Sequence, residues 1–275
     1  MTAMHFIDNG RVLAPAERSA CLASAACLAR AKREAEAGRE EIVPNIPGIG
    51  TIHLLRPTDA LALKRLPKTM AVIGAGPTGC ELAALFASFG TRVLLLERGA
   101  AVLPRGDAEV SSLVGARLSG LGIEVATSAE VLEAINATGA VYGLKVLANG
   151  SVETHALEAV VLAAGRTGTG VPSTDVRVIL MAPEVASVGL TAAEAKKKFG
   201  SALAGRCDLS VLPRAIAEGN AGGLVKIVAH AKTRKILGCQ IVSSRAGEMI
   251  HEAALAMRLG ATADRLAEHG GAPMT

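Results

Sequence analysis

The fold of this chain can be derived from residues 69–97, which read TMAVIGAGPTGCELAALFASFGTRVLLLE. The short apolar run Thr69–Ile73 predicts a buried strand. The glycine-rich turn GAGPTG follows, and after it comes an apolar helix from about Thr78 to Phe89 that ends at Gly90. Arg92–Glu97 predicts a second, apolar strand of the kind found in parallel sheets that are covered on both faces. The stretch therefore predicts a βαβ unit of about 30 residues.

The glycines of the turn and one acidic residue form a nucleotide-binding pattern. Gly74, Gly76 and Gly79 have the spacing GxGxxG, and Glu97 ends the next strand 18 residues after Gly79. We expect Gly74 to permit the tight turn, Gly76 to let backbone approach a pyrophosphate, and Gly79 to allow close packing of helix on strand. The phosphates would lie at the positive N-terminus of the helix. The alternative is that these glycines serve the turn and the packing alone.

The charges beside the second strand bear on which dinucleotide binds. Glu97 would accept hydrogen bonds from both hydroxyls of the adenosine ribose of NAD, and it would repel the 2′-phosphate of NADP. Arg98 and Arg105 lie near it in sequence, and a basic residue at this place can accommodate that phosphate. The sequence therefore favours NAD and leaves NADP open.

Further elements extend the first half of the chain. Asp107 is predicted to cap a helix that ends at Gly122, since apolar residues recur between them at helical spacing. Ile123–Ala126 then predicts a strand. The Asn149-Gly150 pair between GLKVLA and SVETHAL predicts a hairpin with a two-residue type I′ turn. Glu158–Ala164 predicts another buried strand.

The second half of the chain has a different, α+β pattern. Composition changes abruptly over residues 167–176, TGTGVPSTDV, where we place a domain boundary. Beyond it the sequence predicts a helix after a Thr191/Glu194 capping box and a hairpin formed by Leu224–Ala231 and Ile236–Val242. A helix from about 246 to 259 follows, and its apolar face contains Ile250, Ala253, Ala254 and Met257. The fold class is therefore α/β, a Rossmann-type dinucleotide-binding domain followed by an α+β domain.

These patterns divide the chain into three parts. They are a divergent N-terminal segment with a connector (1–57), the NAD-binding domain (58–166) and the second domain (177–268). Residues 16–40 predict a helix, and its Cys21 and Cys27 would point apart because six residues turn a helix by about 240°. Residues 44–68 contain four prolines and predict an irregular connector.

Composition excludes several classes of protein. Apolar residues make up 50% of the 275, aromatic residues 2%, and the formal charge is +4, so neither a disordered chain nor a nucleic-acid-binding surface is expected. Five scattered cysteines without a CxxC pair predict neither a disulfide framework nor a metal site, and they favour a cytoplasmic setting. The N-terminal residues lack the pattern of a signal peptide. Residues 70–90 are apolar, but Pro77 and Glu81 favour a strand, turn and helix over a membrane span.

Two parts of the sequence resemble the FAD-dependent pyridine nucleotide–disulfide oxidoreductases, the family of lipoamide dehydrogenase and mercuric reductase. Residues 58–166 are similar to the family's NAD domain through TDALALKRLP, AVIGAGPTGCELA, LLLERGAAVLPRGDAEV and VVLAAGR. Residues 178–268 resemble its dimerisation domain through APEVASVGLTAAEA, RAIAEGNAGGLVKIVAHAKTRKILG and AGEMIHEAALAMRLGATADRLAE. The two resemblances follow each other in the family's order, which implies the same two domains here.

The resemblance assigns roles to particular residues. Those that would line the NAD pyrophosphate are Gly74, Ala75, Gly76, Pro77, Thr78, Gly79, Cys80 and Glu81. Glu97 would contact the adenosine ribose, Val131 the adenine side and Gly165 the nicotinamide end. Glu81 also matches a carboxylate that the family holds near the contact of nicotinamide with flavin. Its alternative role is that of a carboxylate stabilised by the dipole of its helix.

The sequence departs from the family in the parts that handle flavin. The 275 residues contain neither a second GxGxxG for FAD nor the redox Cys-x4-Cys, and TGTGVPSTDV replaces the segment expected to contact flavin. EHGGAPMT stands where the family has its C-terminal His-Pro…Glu acid/base motif. His269 lies near that place. The sequence leaves two roles open for it, that of a catalytic base and that of a solvated terminal histidine.

The resemblance implies an oxidoreductase in which electrons pass from NAD(P)H to flavin and then to a disulfide, a thiol or a metal. FAD is expected for the family, and since most of the FAD domain is missing from this sequence, a separate flavin-binding polypeptide is an expected partner. The C-terminal domain implies a homodimer. The alternative is an inactive NAD-binding, dimer-forming remnant. No nucleic-acid or membrane partner is expected.

Overall fold

The structure is a computed structural model that describes residues 43–137, 141–164, 176–217 and 222–268. These residues form two compact units. Of the described residues, the first unit contains 43–104 and 114–164, and the second contains 105–113 together with those from 176 onward.

A parallel sheet lies at the centre of the first unit. The described strands of this unit are β1 (Leu54–Leu55), β2 (Thr69–Ile73), β3 (Arg92–Leu96), β4 (Glu124–Ala126), β5 (Glu130–Asn136), β6 (Tyr142–Ala148), β7 (Ser151–Leu157) and β8 (Ala159–Leu162). Five of them form a sheet in the order β1-β8-β2-β3-β4, and all neighbouring pairs are parallel. Strands β2, β3 and β8 are buried over nearly their whole length, which confirms the predicted sheet with both faces covered.

Three of the described helices lie between these strands along the chain. They are α1 (Pro57–Leu61), α2 (Pro77–Ser88) and α3 (Ala108–Gly120). Helix α2 connects β2 to β3, which lie side by side in parallel, so the predicted βαβ unit is confirmed. Pro77 occupies the first turn of α2, where its missing N–H costs no hydrogen bond. At the start of α3 the Asp107 carboxylate accepts the Glu109 N–H at 3.1 Å, which confirms the predicted cap.

Strands β5, β6 and β7 form an antiparallel meander beside the parallel sheet. The turn between β6 and β7 has positive φ at both central residues, +49° at Asn149 and +77° at Gly150. This is the backbone that a type I′ hairpin requires, as the Asn-Gly pair predicted. Leu144 and Val146 of the meander pack with residues of the parallel sheet such as Val160, so the meander and one face of the sheet share a core.

Residues 44–68 differ from the irregular connector that their prolines predict. This segment contains a 3-10 helix (Ile49–Thr51), β1 and α1. Strand β1 pairs in parallel with β8, so the segment adds an edge strand to the sheet. The prolines were misleading because Pro57 begins α1, a position that suits proline.

An antiparallel sheet forms the second unit. Its described strands are β9 (Arg177–Ile179), β10 (Glu184–Gly189), β11 (Ala202–Asp208), β12 (Leu224–His230) and β13 (Ile236–Ser243), and its helices α4 (Ala192–Phe199), α5 (Pro213–Ala217), α6 (Ala246–Arg258) and α7 (Ala263–Glu268). The strand order is β11-β12-β13-β10-β9. At α4 the Thr191/Glu194 capping box is confirmed, since the Glu194 N–H donates to the Thr191 hydroxyl at 3.2 Å and the Thr191 N–H to the Glu194 carboxylate at 2.9 Å.

The apolar face of α6 packs against the sheet of its own unit. Ile250 is fully buried and Ala253 is 4% exposed, in a cluster with Val188 and Ile241 of the sheet. Ala254 and Met257 are partly buried against the same cluster. The apolar face that the sequence predicted is therefore buried against the sheet of its own unit.

Several sequence predictions lie outside the described residues. They are the helix over 16–40 with Cys21 and Cys27, most of the boundary over 167–176, and the residues Gly165 and His269. Among the residues that the structure does describe, no helix is both long enough and apolar enough to cross a membrane.

Candidate nucleotide-binding site

The turn after β2 requires glycine at its first position. Gly74 has a φ of +104°, which disfavours residues with a side chain. A Cβ there would lie 2.9 Å from the backbone nitrogen of Ala164, just after β8. The Gly74 N–H donates to the Leu96 carbonyl at 2.7 Å, so the turn is fixed to the end of β3. The role predicted for Gly74 therefore has a direct structural reason.

Gly79 and Gly76 serve different purposes in the same turn. A Cβ at Gly79 would lie 1.8 Å from the carbonyl oxygen of Gly74, so glycine is needed for the helix to approach the strand end. A Cβ at Gly76 would meet no protein atom within 4 Å. Because packing does not require glycine at Gly76, the open space beside it fits the close approach of a ligand to the backbone.

The N-terminus of α2 faces this open space. Gly76 is the N-cap residue and makes no side-chain capping hydrogen bond, and α2 runs for 12 residues. The peptide dipoles of a helix give its N-terminus a positive partial charge, which stabilises an anion there. The turn can therefore hold a pyrophosphate.

The carboxylate of Glu97 is held by two backbone N–H groups. One carboxylate oxygen accepts the Ala75 N–H at 2.9 Å, and the other accepts the Gly99 N–H at 2.7 Å. Glu97 follows β3, so these bonds place its charge at the edge of the sheet beside the glycine-rich turn. Each carboxylate oxygen has a further lone pair that can accept a hydrogen bond from a ribose hydroxyl.

A short segment after β3 also holds the glycine-rich turn. The carbonyl of Ala75 accepts the Leu103 N–H at 2.8 Å and the Cys80 thiol at 3.3 Å. Leu103 is buried and has a φ of +48°. The sequence analysis did not identify Leu103, because a backbone N–H leaves no mark on residue type. Gly99 is the residue type that could have indicated the turn after Glu97. A Cβ at this position would lie 3.1 Å from the Glu97 carboxylate.

Cys80 is a packing residue and not a redox group. Burial raises the pKa of its thiol to about 12, with a smaller contribution from the charges of Glu81 and Glu97. Burial also raises the pKa of Cys239 in β13 to about 12. Cys207 in β11 is exposed, and these three described cysteines are free. Thiolates, which are the reactive form, are therefore disfavoured at the two buried positions.

The other sequence-predicted residues lie around the same edge of the sheet or outside the described residues. Val131 is on β5, two residues after Ala129, whose N–H donates to the Glu97 carbonyl at 2.9 Å. Glu81 is the fifth residue of α2 and half-buried, and the first turn of α2 contains no acidic residue. Gly165 follows Ala164 but is not itself described. Among the described residues, no group of acidic, histidine and cysteine side chains is arranged to hold a metal ion.

The parallel sheet, the glycine-rich turn and the acidic residue after the next strand define an α/β dinucleotide-binding protein with a second, antiparallel unit. The chain belongs to the pyridine nucleotide-disulphide oxidoreductase family. The sequence model of that family matches residues 37–176, and the model of its dimerisation domain matches residues 176–272.

Comparison with individual proteins gives the same family. The chain is 28% identical over 297 residues to a mercuric reductase of Bacillus cereus, covering 84% of this chain and 47% of that protein. It is 29% identical over 295 residues to a mitochondrial dihydrolipoyl dehydrogenase of Pisum sativum, with coverages of 82% and 58%. The chain therefore spans about half the length of the curated relatives that it matches.

A solved structure shows the same fold. The HOCl-induced flavoprotein disulfide reductase RclA from Escherichia coli superposes with a TM-score of 0.75 at 20% identity. The match covers 86% of this chain and 69% of that one.

Single replacements of Gly76 and Gly79 by alanine test two separate roles, ligand approach at Gly76 and folding at Gly79. Gly79→Ala should lower the free energy of unfolding by about 3 kcal/mol, because its Cβ meets backbone that cannot move away. Gly76→Ala should change stability by less than about 1 kcal/mol but weaken dinucleotide binding about tenfold or more. Urea denaturation and fluorescence titration with NADH measure the two effects. Unchanged NADH binding by Gly76→Ala would contradict this assignment.

Proposed function

We propose that this chain is the part of a pyridine nucleotide–disulfide oxidoreductase that binds NADH and positions it to donate its electrons. The observation that carries the proposal is the glycine-rich turn from Gly74 to Gly79 with the Glu97 carboxylate beside it. The open backbone at Gly76 and the fixed carboxylate lie where the pyrophosphate and the adenosine ribose of a dinucleotide bind in such folds.

The chain's own residues would hold the dinucleotide at several points. The turn and the N-terminus of α2 would bind the pyrophosphate, and Glu97 would accept the ribose hydroxyls. Val131 is proposed for the adenine side and Gly165 for the nicotinamide end, both by resemblance to the family. When it is bound, NADH supplies a hydride from its nicotinamide ring.

Glu81 is the carboxylate that we propose to face the nicotinamide end. It lies one turn into α2, and the first turn contains no acidic residue. The effect of the helix dipole falls off within the first turn, so stabilisation by the dipole explains Glu81 poorly. A role toward the ligand is therefore the better explanation. A catalytic role for His269 stays a prediction from sequence.

FAD is the second cofactor of the family, and the described residues do not fit it. Their strand–glycine turn–helix unit is already assigned to the nicotinamide dinucleotide, and the sequence has neither a second GxGxxG nor a Cys-x4-Cys. No electron-transfer step through flavin follows from these residues. We propose that the flavin-binding part lies outside these 275 residues.

The final electron acceptor is proposed from the relatives. Their names refer to a mercuric ion and to a dihydrolipoyl group, so we propose a disulfide, a thiol or a metal ion as the acceptor class. The second candidate function is an NAD-binding, dimer-forming protein without activity. The buried Cys80 and Cys239 favour this candidate, since their raised pKa values disfavour thiol chemistry in this chain.

We also propose a homodimer formed through the second unit. The part of the sheet that lies beside α6, over β11 and β12, forms a groove of about 470 Å³. Apolar Leu203, Val225 and Ile227 line it, and the match to the family's dimerisation domain supports a second copy of this chain as the occupant. Free cysteines favour a reducing compartment, so a cytoplasmic location is proposed with it.

Glu97→Ala should weaken NADH binding by about 1–3 kcal/mol, because hydrogen bonds to a charged acceptor are lost. The wild-type chain should bind NADH more tightly than NADPH, although exposed Arg98 and Arg105 lie nearby. Fluorescence titration with both nucleotides measures these affinities. Glu97→Gln is the matched control, since it removes the charge and keeps one acceptor for the backbone. Tighter binding of NADPH by the wild type would contradict the NAD assignment.

The purified chain should not reduce lipoamide, glutathione disulfide or mercuric ion with NADH, even when FAD is supplied. The reason is that these 275 residues contain neither the FAD fingerprint nor the redox cysteine pair. Assays of NADH consumption and a visible absorption spectrum of the purified chain test this expectation. A bound flavin spectrum with steady turnover would overturn the proposal. Both candidate functions predict NADH binding without turnover by the chain alone. Turnover that returns when a flavin-binding polypeptide is added would favour the electron-input part over the inactive remnant.

Leu203→Asp should convert a dimer of twice 27.9 kDa into a folded monomer, because Leu203 is 40% exposed in the open groove. Ile250→Asp should instead lower the free energy of unfolding by more than about 4 kcal/mol, because it places a charge in a core. Light scattering and urea denaturation separate the two outcomes. A wild-type chain that is monomeric at micromolar concentration would refute the dimer.

A further inference from the structure

Lys226 is a buried lysine that lies on β12 of the second unit. Its side chain is 8% exposed, and its ammonium lies 3.0 Å from a carboxylate oxygen of Asp107 and 2.8 Å from one of Glu109. Asp107 is buried to the same degree, with a side chain that is 4% exposed. All three residues belong to the second unit, which includes Arg105–Leu113. The ion cluster of these residues therefore fixes the first turn of α3 to strand β12.

Each charged group of the ion cluster has a partner of opposite charge. Burial alone would lower the pKa of Lys226, but hydrogen bonds to Glu109 and Asp107 outweigh burial and hold that pKa above its ordinary value. Arg206 extends the cluster, since its guanidinium lies 3.6 Å from the Glu109 carboxylate and pairs with Asp208. Removing one partner of such a buried pair leaves an uncompensated charge, which is strongly unfavourable.

Asp107 ends the segment that holds the glycine-rich turn. The segment begins at Glu97, whose carboxylate binds the Ala75 N–H, and it includes Leu103, whose N–H binds the Ala75 carbonyl. Three residues separate Leu103 from Asp107. Asp107 also caps α3 through the Glu109 N–H, and its own carbonyl accepts the Ser111 N–H at 2.8 Å. A displacement of Asp107 would therefore reach Leu103 through a short stretch of backbone.

We propose that Lys226 is a positioning residue for the nucleotide site: by fixing Asp107, it holds Leu103 against Ala75 and keeps the glycine-rich turn in its binding conformation. The proposal rests on the proposed binding of NADH. It makes a lysine of the second unit a determinant of affinity without contact to the ligand, and it gives the charge of Asp107 a purpose beyond capping the helix.

The test uses Lys226→Met in the full chain, with Lys197→Met as the control. Lys197 is exposed on α4, so its replacement removes the same charge without a buried partner. We expect Lys226→Met to raise the Kd for NADH about fivefold or more and to speed amide hydrogen exchange over residues 99–112. Lys197→Met should change neither. Lys226→Arg, which keeps the positive charge, should restore most of the affinity.

Asp107→Asn keeps the test decisive if Lys226→Met does not fold, because asparagine still caps a helix but removes the charge. It should also raise the Kd for NADH and speed exchange over the same residues. If wild-type chain binds no NADH, the proposed function fails, while the exchange measurement still tests the hold on residues 99–112. Unchanged exchange there, or wild-type NADH affinity in folded Lys226→Met or Asp107→Asn, would overturn the inference.

Discussion

The first turn of α2 lies so close to the end of β2 that no side chain fits between them. A Cβ at Gly79 would lie 1.8 Å from the Gly74 oxygen, which is far inside van der Waals contact. This approach directs the positive end of α2 toward the edge where β2, β3 and β8 end. In the same turn the Ala75 N–H lies 2.9 Å from the Glu97 carboxylate, so the arrangement of the candidate site depends on this close backbone approach.

Local signals predicted the parts of the fold that local chemistry determines. The Asn149-Gly150 turn, the Thr191/Glu194 box and the βαβ unit each follow from a few neighbouring residues, and the structure confirms them. Strand β1 could not be predicted in the same way, because its two residues become a strand through pairing with β8 about a hundred residues later. Likewise, the spacing of apolar residues in α6 indicated a buried face but not whether its own sheet or a second copy buries it.

The same contrast between local and long-range signals applies to the residues of the candidate site. Its glycines and Glu97 were predicted because the chemistry there requires particular residue types. Leu103 was missed because it contributes a backbone N–H that almost any residue could supply. The pair of Lys226 and Asp107 was missed because its members are 119 residues apart, and a buried lysine has the same sequence appearance as a solvated one. Residues that position a site are therefore harder to predict than residues that contact its ligand.

The state of the described thiols limits the chemistry that these residues can carry out. A disulfide reductase needs a thiolate that can attack or leave, and a thiol with a pKa of about 12 is protonated at neutral pH. Cys80 lies beside the nucleotide site, but its thiol donates to the Ala75 carbonyl and so serves the packing of the turn. Among the described residues, Cys207 is the exposed cysteine, and it has no cysteine partner. Under the proposed function, the hydride of the nicotinamide therefore passes to an acceptor outside the described residues, because these residues offer no pair of reactive thiols.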